Sequence, residues 1–140
     1  MNSENLGMYA ALDDLVQLIK DELSVGYDIQ IDKIWEEKSV GFVDDRRDRI
    51  LIYPKNERIQ PFGLYGCDWL HTTDLAIEIR SFGDELKLSA IVNNISKVIK
   101  SNIRRPNFVD IMMTGSLTEN DKMRNMFKHI INVTYRKHNP

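Results

Sequence analysis

Two stretches of the chain repeat their apolar residues at the spacing of an α-helix. In about Asn5–Leu23, apolar side chains recur every three or four positions, with acidic and amide side chains between them. About Glu85–Asn102 carries a second such stripe, which follows the turn residue Gly83 and which Pro106 prevents from continuing. The spacing therefore predicts two amphipathic helices that each bury one face.

Five further stretches have the alternating or continuously apolar pattern of β-strands. They are, in chain order, Tyr27–Trp35, Ile50–Tyr53, Thr72–Ser81, Phe108–Thr114 and Met126–Lys137. Pro54 ends the second stretch, since proline has no N–H to offer to a strand ladder. In the third and fifth, alternate residues are apolar and polar, which indicates one sheet face in the core and one in water.

The elements follow one another in the order α-β-β-β-α-β-β. This order predicts a single α+β domain over residues 1–140. We expect a four- to five-stranded sheet, mostly antiparallel or mixed, with both helices packed on one face. A chain of this length can bury a real core, because roughly two thirds of its unfolded surface becomes inaccessible on folding.

Two segments lack a regular pattern and are predicted to be loops. Lys55–Leu70 contains proline, glycine and three aromatic residues, which either complete the core or present a surface to a partner. Gly115–Lys122 is polar and favours a mobile arm that orders when it docks on a neighbour. Both segments are the kind of feature that an assembly protein uses.

Composition and charge narrow the class of protein. The chain is 42% hydrophobic and 29% charged, as soluble globular proteins are, and its net charge of −2 does not call for nucleic acid. The single cysteine, Cys67, allows no intrachain disulfide. The first residues do not have the pattern of a signal peptide, and no apolar run is long enough to span a membrane. We therefore expect a protein made in a cytoplasm, or packed into a particle assembled there.

No clear catalytic signature is present. The chain has no glycine-rich phosphate loop, and its three histidines lack the spacing of metal ligands. Cys67 and His71 would form a dyad only on a helix, which the neighbouring glycine and aromatic residues argue against. We favour a buried cysteine and a surface histidine, and we predict no catalytic residue, no metal and no cofactor.

One acidic pattern leaves an enzymatic alternative open. Asp74 and Glu78 fall on the same face of a predicted strand, with Arg80 two residues further on. A small magnesium-dependent nuclease could hold its metal with two such carboxylates. However, such nucleases carry a lysine where Arg80 stands and take the aspartate from an earlier strand. We favour a solvated strand face with charge pairs.

A basic cluster lies at the end of the second predicted helix. Arg104 and Arg105 follow Lys97 and Lys100, and we interpret them as a match to the negative end of the helix dipole rather than as a nucleic-acid site. Together with the two predicted loops, this cluster gives our candidate protein-interface residues. They are Phe62, Tyr65, Trp69, Arg104, Arg105, Gly115, Leu117, Glu119 and Lys122.

The order of segments in the second half is similar to that of a known family. A strand at Asp74–Ser81 precedes a helix at Leu86–Ile103, a strand at Val109–Gly115 and a long closing strand at Phe127–Tyr135. In this order they resemble the tail terminator, or tail completion, proteins of long-tailed phages and related viruses. The first helix, Leu6–Leu23, fits the same pattern, so the resemblance covers most of the chain.

The resemblance implies a structural virion protein without enzymatic activity. Such proteins form a ring, typically a hexamer, that caps the finished tail tube and joins it to the head connector proteins. DNA only passes through the lumen, and the near-neutral charge suits that passage. The long Lys55–Leu70 segment leaves a neighbouring head–tail joining protein open as an alternative. A nuclease, or a host adaptor domain that binds a protein partner through its aromatic loop, remains a further alternative.

Overall fold

The chain folds into two helices and one five-stranded sheet. The computed structural model describes residues 6–23, 29–43, 46–62, 68–108, 110–123 and 125–139. In chain order, the elements are α1 Leu6–Glu22, β1 Gln30–Lys33, a 3₁₀ turn Glu37–Phe42, β2 Arg49–Phe62, β3 Asp68–Phe82, α2 Glu85–Ser101, β4 Asp110–Asp121 and β5 Met126–Asn139. The predicted α+β class and the predicted order of helices and strands are confirmed.

The sheet is mixed, with the strands in the order β1-β2-β3-β5-β4. β1 runs parallel to β2, whereas every other neighbouring pair is antiparallel. β3, the longest strand, lies at the centre of the sheet and pairs with β5 from Trp69↔Asn139 to Phe82↔Met126. β4 is an edge strand, and the short β1 covers only the first part of the opposite edge.

Both helices pack on the same face of the sheet, which we call the helix face. On β3, the alternate residues Leu75, Ile77 and Ile79 are fully buried there, as the sequence predicts. They join one cluster with buried residues of α1, such as Leu15, and of α2, such as Ile95. Full burial of each such side chain contributes about 1.5–3 kcal/mol, so this cluster is the main source of stability.

Hydrogen bonds at both ends fix the limits of α2. Gly83 has a φ of +80°, a conformation that suits glycine, and its N–H donates to the carbonyl of Asn125. The Asp84 carboxylate then accepts a hydrogen bond from the N–H of Lys87 at 2.9 Å, which caps the first turn. At the other end, the side chain of Asn102 donates to the carbonyl of Val98.

The opposite face of the sheet is only partly in water, contrary to the sequence prediction. The 3₁₀ turn packs on it and closes a second, smaller cluster that contains Val40, Leu51, Tyr53 and Ala76. The sequence did not predict this turn, because the charged run 36–38 overlaps its start and leaves Val40 and Phe42 as its large apolar residues. We call this side of the sheet the open face, since beyond the turn no helix covers it within the described ranges.

Candidate protein interface

The segment predicted as an aromatic loop is instead a long β-hairpin. β2 continues through Pro54 to Phe62, and β3 begins at Asp68, so the two strands pair from Arg49↔Arg80 to Phe62↔Asp68. The prediction that Pro54 ends the strand is wrong, because an irregularity in register between Pro54 and Asn56 absorbs it. We call residues 55–62 of β2 and 68–74 of β3 the hairpin arm.

The hairpin arm extends beyond the core. Every residue of 50–54 is buried, whereas Glu57 is the only residue of 55–61 that is not exposed. Ile59 on β2 and Trp69 on β3 are 54% and 43% exposed, respectively. Because Ile59 pairs with His71, and Trp69 lies two residues away on the same strand, both side chains lie on the helix face of the arm.

The aromatic candidates therefore differ in position. Trp69 lies on the arm as an exposed aromatic residue, which is the surface option of the two that the sequence left open. Phe62 ends the paired part of β2 opposite Asp68. Tyr65 and Cys67 lie outside the described residues.

The segment predicted as a mobile polar arm is also a strand. Gly115, Leu117 and Glu119 all belong to β4 and pair with Asn132, Ile130 and Lys128 of β5. The prediction failed because this half of β4 has no buried side chain, so no apolar alternation marks it. Lys122 lies in the tight turn between the two strands and is exposed.

The outer side of β4 carries exposed apolar side chains. Leu117 and Met112 are 51% and 41% exposed and lie on the open face, as their partners Ile130 and Thr134 do. On the helix face, a mostly apolar groove of about 360 Å³ runs between β4 and the end of α2, lined by residues that include Ile103. An edge strand flanked by apolar side chains on both faces is suited to strand addition.

The basic candidates at the end of α2 do not act together. Arg105 donates two hydrogen bonds to the carboxylate of Asp14, at 2.9 Å and 3.0 Å, and this raises the pKa of the guanidinium. The Tyr135 hydroxyl donates to the same carboxylate at 2.7 Å, so the cluster ties α1, the chain after α2 and β5 together. Arg104 is exposed. Only Arg104 of this pair is therefore available to a partner without breaking a bond.

The two carboxylates of the nuclease alternative are engaged by the chain itself. Glu78 is 3% exposed and accepts hydrogen bonds from Arg80 at 2.6 Å and from the Tyr53 hydroxyl at 3.3 Å. Asp74 accepts from Thr134, Asn56 and Arg58. The strand face does carry charge pairs, but the expectation that it is solvated is wrong for Glu78 and Arg80, because the 3₁₀ turn covers them.

The remaining candidate groups are dispersed. His71 lies on the arm with its Nδ1 3.7 Å from Glu57, and His129 lies on β5 with its Nδ1 2.8 Å from the Thr118 hydroxyl. Burial lowers the pKa of His129. Among the described residues, no group of three or more metal-ligating side chains comes together.

The sequence reasoning missed two contributors to this surface. Met112 was predicted as part of a strand and Ile103 as part of a helix end. Neither was recognised as a surface residue, because the local sequence does not determine whether a single apolar residue is exposed. Only the position of β4 at the sheet edge, which follows from strand order, brings them to the surface.

The chain matches no protein-family model. A search of curated proteins likewise found no match. None of the helices in the described part of the chain is long and apolar enough to cross a membrane.

Proposed function

We propose that the protein is a structural virion protein, a ring-forming tail terminator or head–tail joining protein. In this role it assembles as a ring, a hexamer by the resemblance of its element order, which ends the tail tube and connects it to the head. Its partners are further copies of itself, the tail tube protein and the head connector proteins, while DNA passes through the lumen.

The observation that carries the proposal is where the exposed apolar side chains lie. Ile59 and Trp69 lie on the hairpin arm, and Met112 and Leu117 lie on β4, so each of two long strand segments at or near a sheet edge carries exposed apolar side chains. Other exposed apolar residues, such as Trp35, Leu86 and Met123, lie outside these two segments. Small-molecule sites are concave and enclosed, whereas protein partners bind extended surfaces with exposed aromatic and aliphatic residues. This arrangement supports an assembly role over a catalytic one.

The carboxylate geometry supports the same choice. A metal-dependent nuclease needs carboxylate oxygens that are free to bind a divalent cation. Glu78 is buried and already paired with Arg80, and Asp74 accepts hydrogen bonds from three side chains. Binding a metal there would require breaking these contacts.

The proposal is tested first by mass and shape in solution. Light scattering over a concentration series and negative-stain images should show a closed ring with a central hole. The ring, added to polymerising tail tube protein, should stop tube growth at a fixed end, whereas a bystander protein should not. A chain that neither forms rings nor binds tube ends would contradict the proposal and favour the host adaptor alternative.

A further inference from the structure

The β4 edge is open along most of its length. Within the described ranges, β4 pairs with β5 on one side, and on its other side the one backbone hydrogen bond runs from the N–H of Ile111 to the carbonyl of Ile103. Apolar surface flanks this edge on both faces of the sheet. Exposed Leu117 and Met112 lie on the open face, and the groove beside Ile103 lies on the helix face. A strand added here would gain ladder hydrogen bonds and cover apolar surface on both faces at once.

A second open edge lies at the other side of the sheet. β1 pairs with β2 only over Arg49–Ile52, so within the described ranges no strand lies against the outer edge of β2 in the hairpin arm. Pro54 and Pro61 limit how many N–H groups this edge can donate. Exposed side chains, Ile59 above all, must therefore supply a large share of any contact made there.

The two edges carry opposite charge. β4 contains Asp110, Glu119 and Asp121 and has no lysine or arginine. The β2 strand of the arm offers Lys55 and Arg58 on the open face, while its one acidic residue, Glu57, is turned to the helix face beside His71. Four of these charged residues have an ion-pair partner within the chain: Asp110 with Arg136, Glu119 with Lys128, Lys55 with Glu37 and Arg58 with Asp74. Glu119 and Arg58 nevertheless remain more than half exposed, so they carry most of the charge that a neighbouring copy would meet.

Charge decides which edges can meet. Two β4 edges placed side by side would bring acidic residues together, which disfavours a symmetric pair of copies. A β4 edge against an arm edge brings acidic residues beside Lys55 and Arg58. The apolar surfaces also match, since a continuous sheet keeps its faces and Ile59 shares the helix face with the groove at Ile103.

We infer that β4 of one copy pairs with the outer edge of the hairpin arm of the next copy, so that the sheet continues from subunit to subunit. The inference rests on the proposed ring function and names the surfaces that build the ring. Because the two surfaces differ, the contact is head to tail, and it closes into a ring when the rotation per subunit allows.

Two variants of the full chain test this pairing. Leu117→Lys places a cation on β4 that repels the arm, and the double variant Arg58→Glu with Ile59→Asp places acid on the arm that repels β4. All three positions are exposed, so the fold should persist in both. Leu86→Lys is the matched control, since Leu86 is an exposed leucine in the first turn of α2, away from both edges.

Each variant alone should lose rings, with self-association weakened at least about tenfold, whereas the Leu86→Lys control should assemble as the unmodified chain does. A mixture of the two variants should associate again, at least into heterodimers, because each variant keeps one intact surface and because the cation introduced on β4 meets the acid introduced on the arm. Native mass spectrometry of the mixture and of each variant measures this directly.

The other outcomes overturn the inference and separate it from the proposed function. Rings from either single variant, dimers of the arm variant alone, or a purely monomeric mixture each show that these edges do not pair. If the unmodified chain still forms rings and caps tubes in those cases, the proposed function stands. If the unmodified chain and the mixture are both monomeric at every concentration, this pairing is wrong, and tube capping alone decides the function.

Discussion

At the scale of single residues, the buried pair Glu78–Arg80 holds the 3₁₀ turn on the open face. Besides its bond to Glu78, the Arg80 guanidinium donates to the backbone carbonyls of Val43 and Val40. The Tyr53 hydroxyl completes the network, and burial together with the Glu78 charge raises the pKa of that phenol. One side chain therefore binds two backbone carbonyls of the turn segment and one buried carboxylate, and so ties the turn to β3.

Removing the cation alone should be severely destabilising. In Arg80→Met, the Glu78 carboxylate is left buried without its charge partner, and we expect the free energy of unfolding to fall by about 3–5 kcal/mol. Urea unfolding followed by circular dichroism measures this. The double variant Glu78→Leu with Arg80→Met should recover much of the loss, and Lys38→Ala, in an exposed pair, should change stability by less than about 0.5 kcal/mol. A small loss in Arg80→Met would contradict this role.

His129 should make stability depend on pH. Burial lowers its pKa in the folded chain below the ordinary 6.5, so below that pH the unfolded chain takes up a proton that the folded chain does not. The free energy of unfolding should therefore fall as pH drops from about 6.5, until the folded chain also binds the proton. Urea unfolding at several pH values should show this decline in the natural chain.

The matched variant His129→Gln should lack that part of the decline. The other two histidines lie near Glu57 and Asp68 in both proteins, so their contribution cancels in the comparison. Identical pH dependence in the two proteins would show that His129 is as accessible to protons when folded as when unfolded.

At the scale of elements, α2 depends on its cap as well as on its apolar stripe. Asp84→Ala removes the acceptor for the N–H of Lys87, and we expect a loss of about 1 kcal/mol in the free energy of unfolding. Asp84→Ser keeps a capping oxygen and should retain most of that stability. Thermal and urea unfolding of the two variants measure the difference, and equal losses would mean that the charge of Asp84, rather than its cap bond, matters.

The sequence predicted helices more closely than strands for a physical reason. Periodicity reports contact with the core, and each helix buries an apolar stripe in the core, so α2 was predicted within one residue at its C-terminal end. Residues 55–61 of β2 and the second half of β4 carry no buried side chain, so they show no apolar alternation and were predicted as parts of loops. They are strands because they pair with β3 and β5, and the local sequence pattern does not report which segments pair.

The candidate interface was also predicted only in part. Trp69 was selected from the aromatic segment and Leu117 from the polar segment, and both side chains are exposed. Arg105 was selected on sequence proximity to Arg104, but its bond to Asp14 joins residues far apart in the chain. Contacts of that kind follow from the fold and cannot be inferred from neighbours in sequence.

At the scale of the whole molecule, the chain divides into a body that supplies stability and an arm that supplies surface. The two buried clusters draw on α1, α2, the 3₁₀ turn and all strands except β1, but on none of the described residues 55–61 and 68–72. Such an arm adds little to stability, because ordering a residue costs about 1–2 kcal/mol of backbone entropy and its side chains bury little surface. Contact with a partner would offset that cost.

Shortening the arm should therefore separate folding from assembly. Arg58 and Thr72 face each other across the hairpin, so Asn-Gly in place of Ile59–His71 would join them by a two-residue turn. We expect this chain to unfold cooperatively in urea, with the circular dichroism of a folded α+β protein, because both clusters remain intact. We also expect it to form no rings and to leave tube growth unaffected. Loss of cooperative unfolding would show that the arm stabilises the body, whereas intact rings would place the subunit contacts elsewhere.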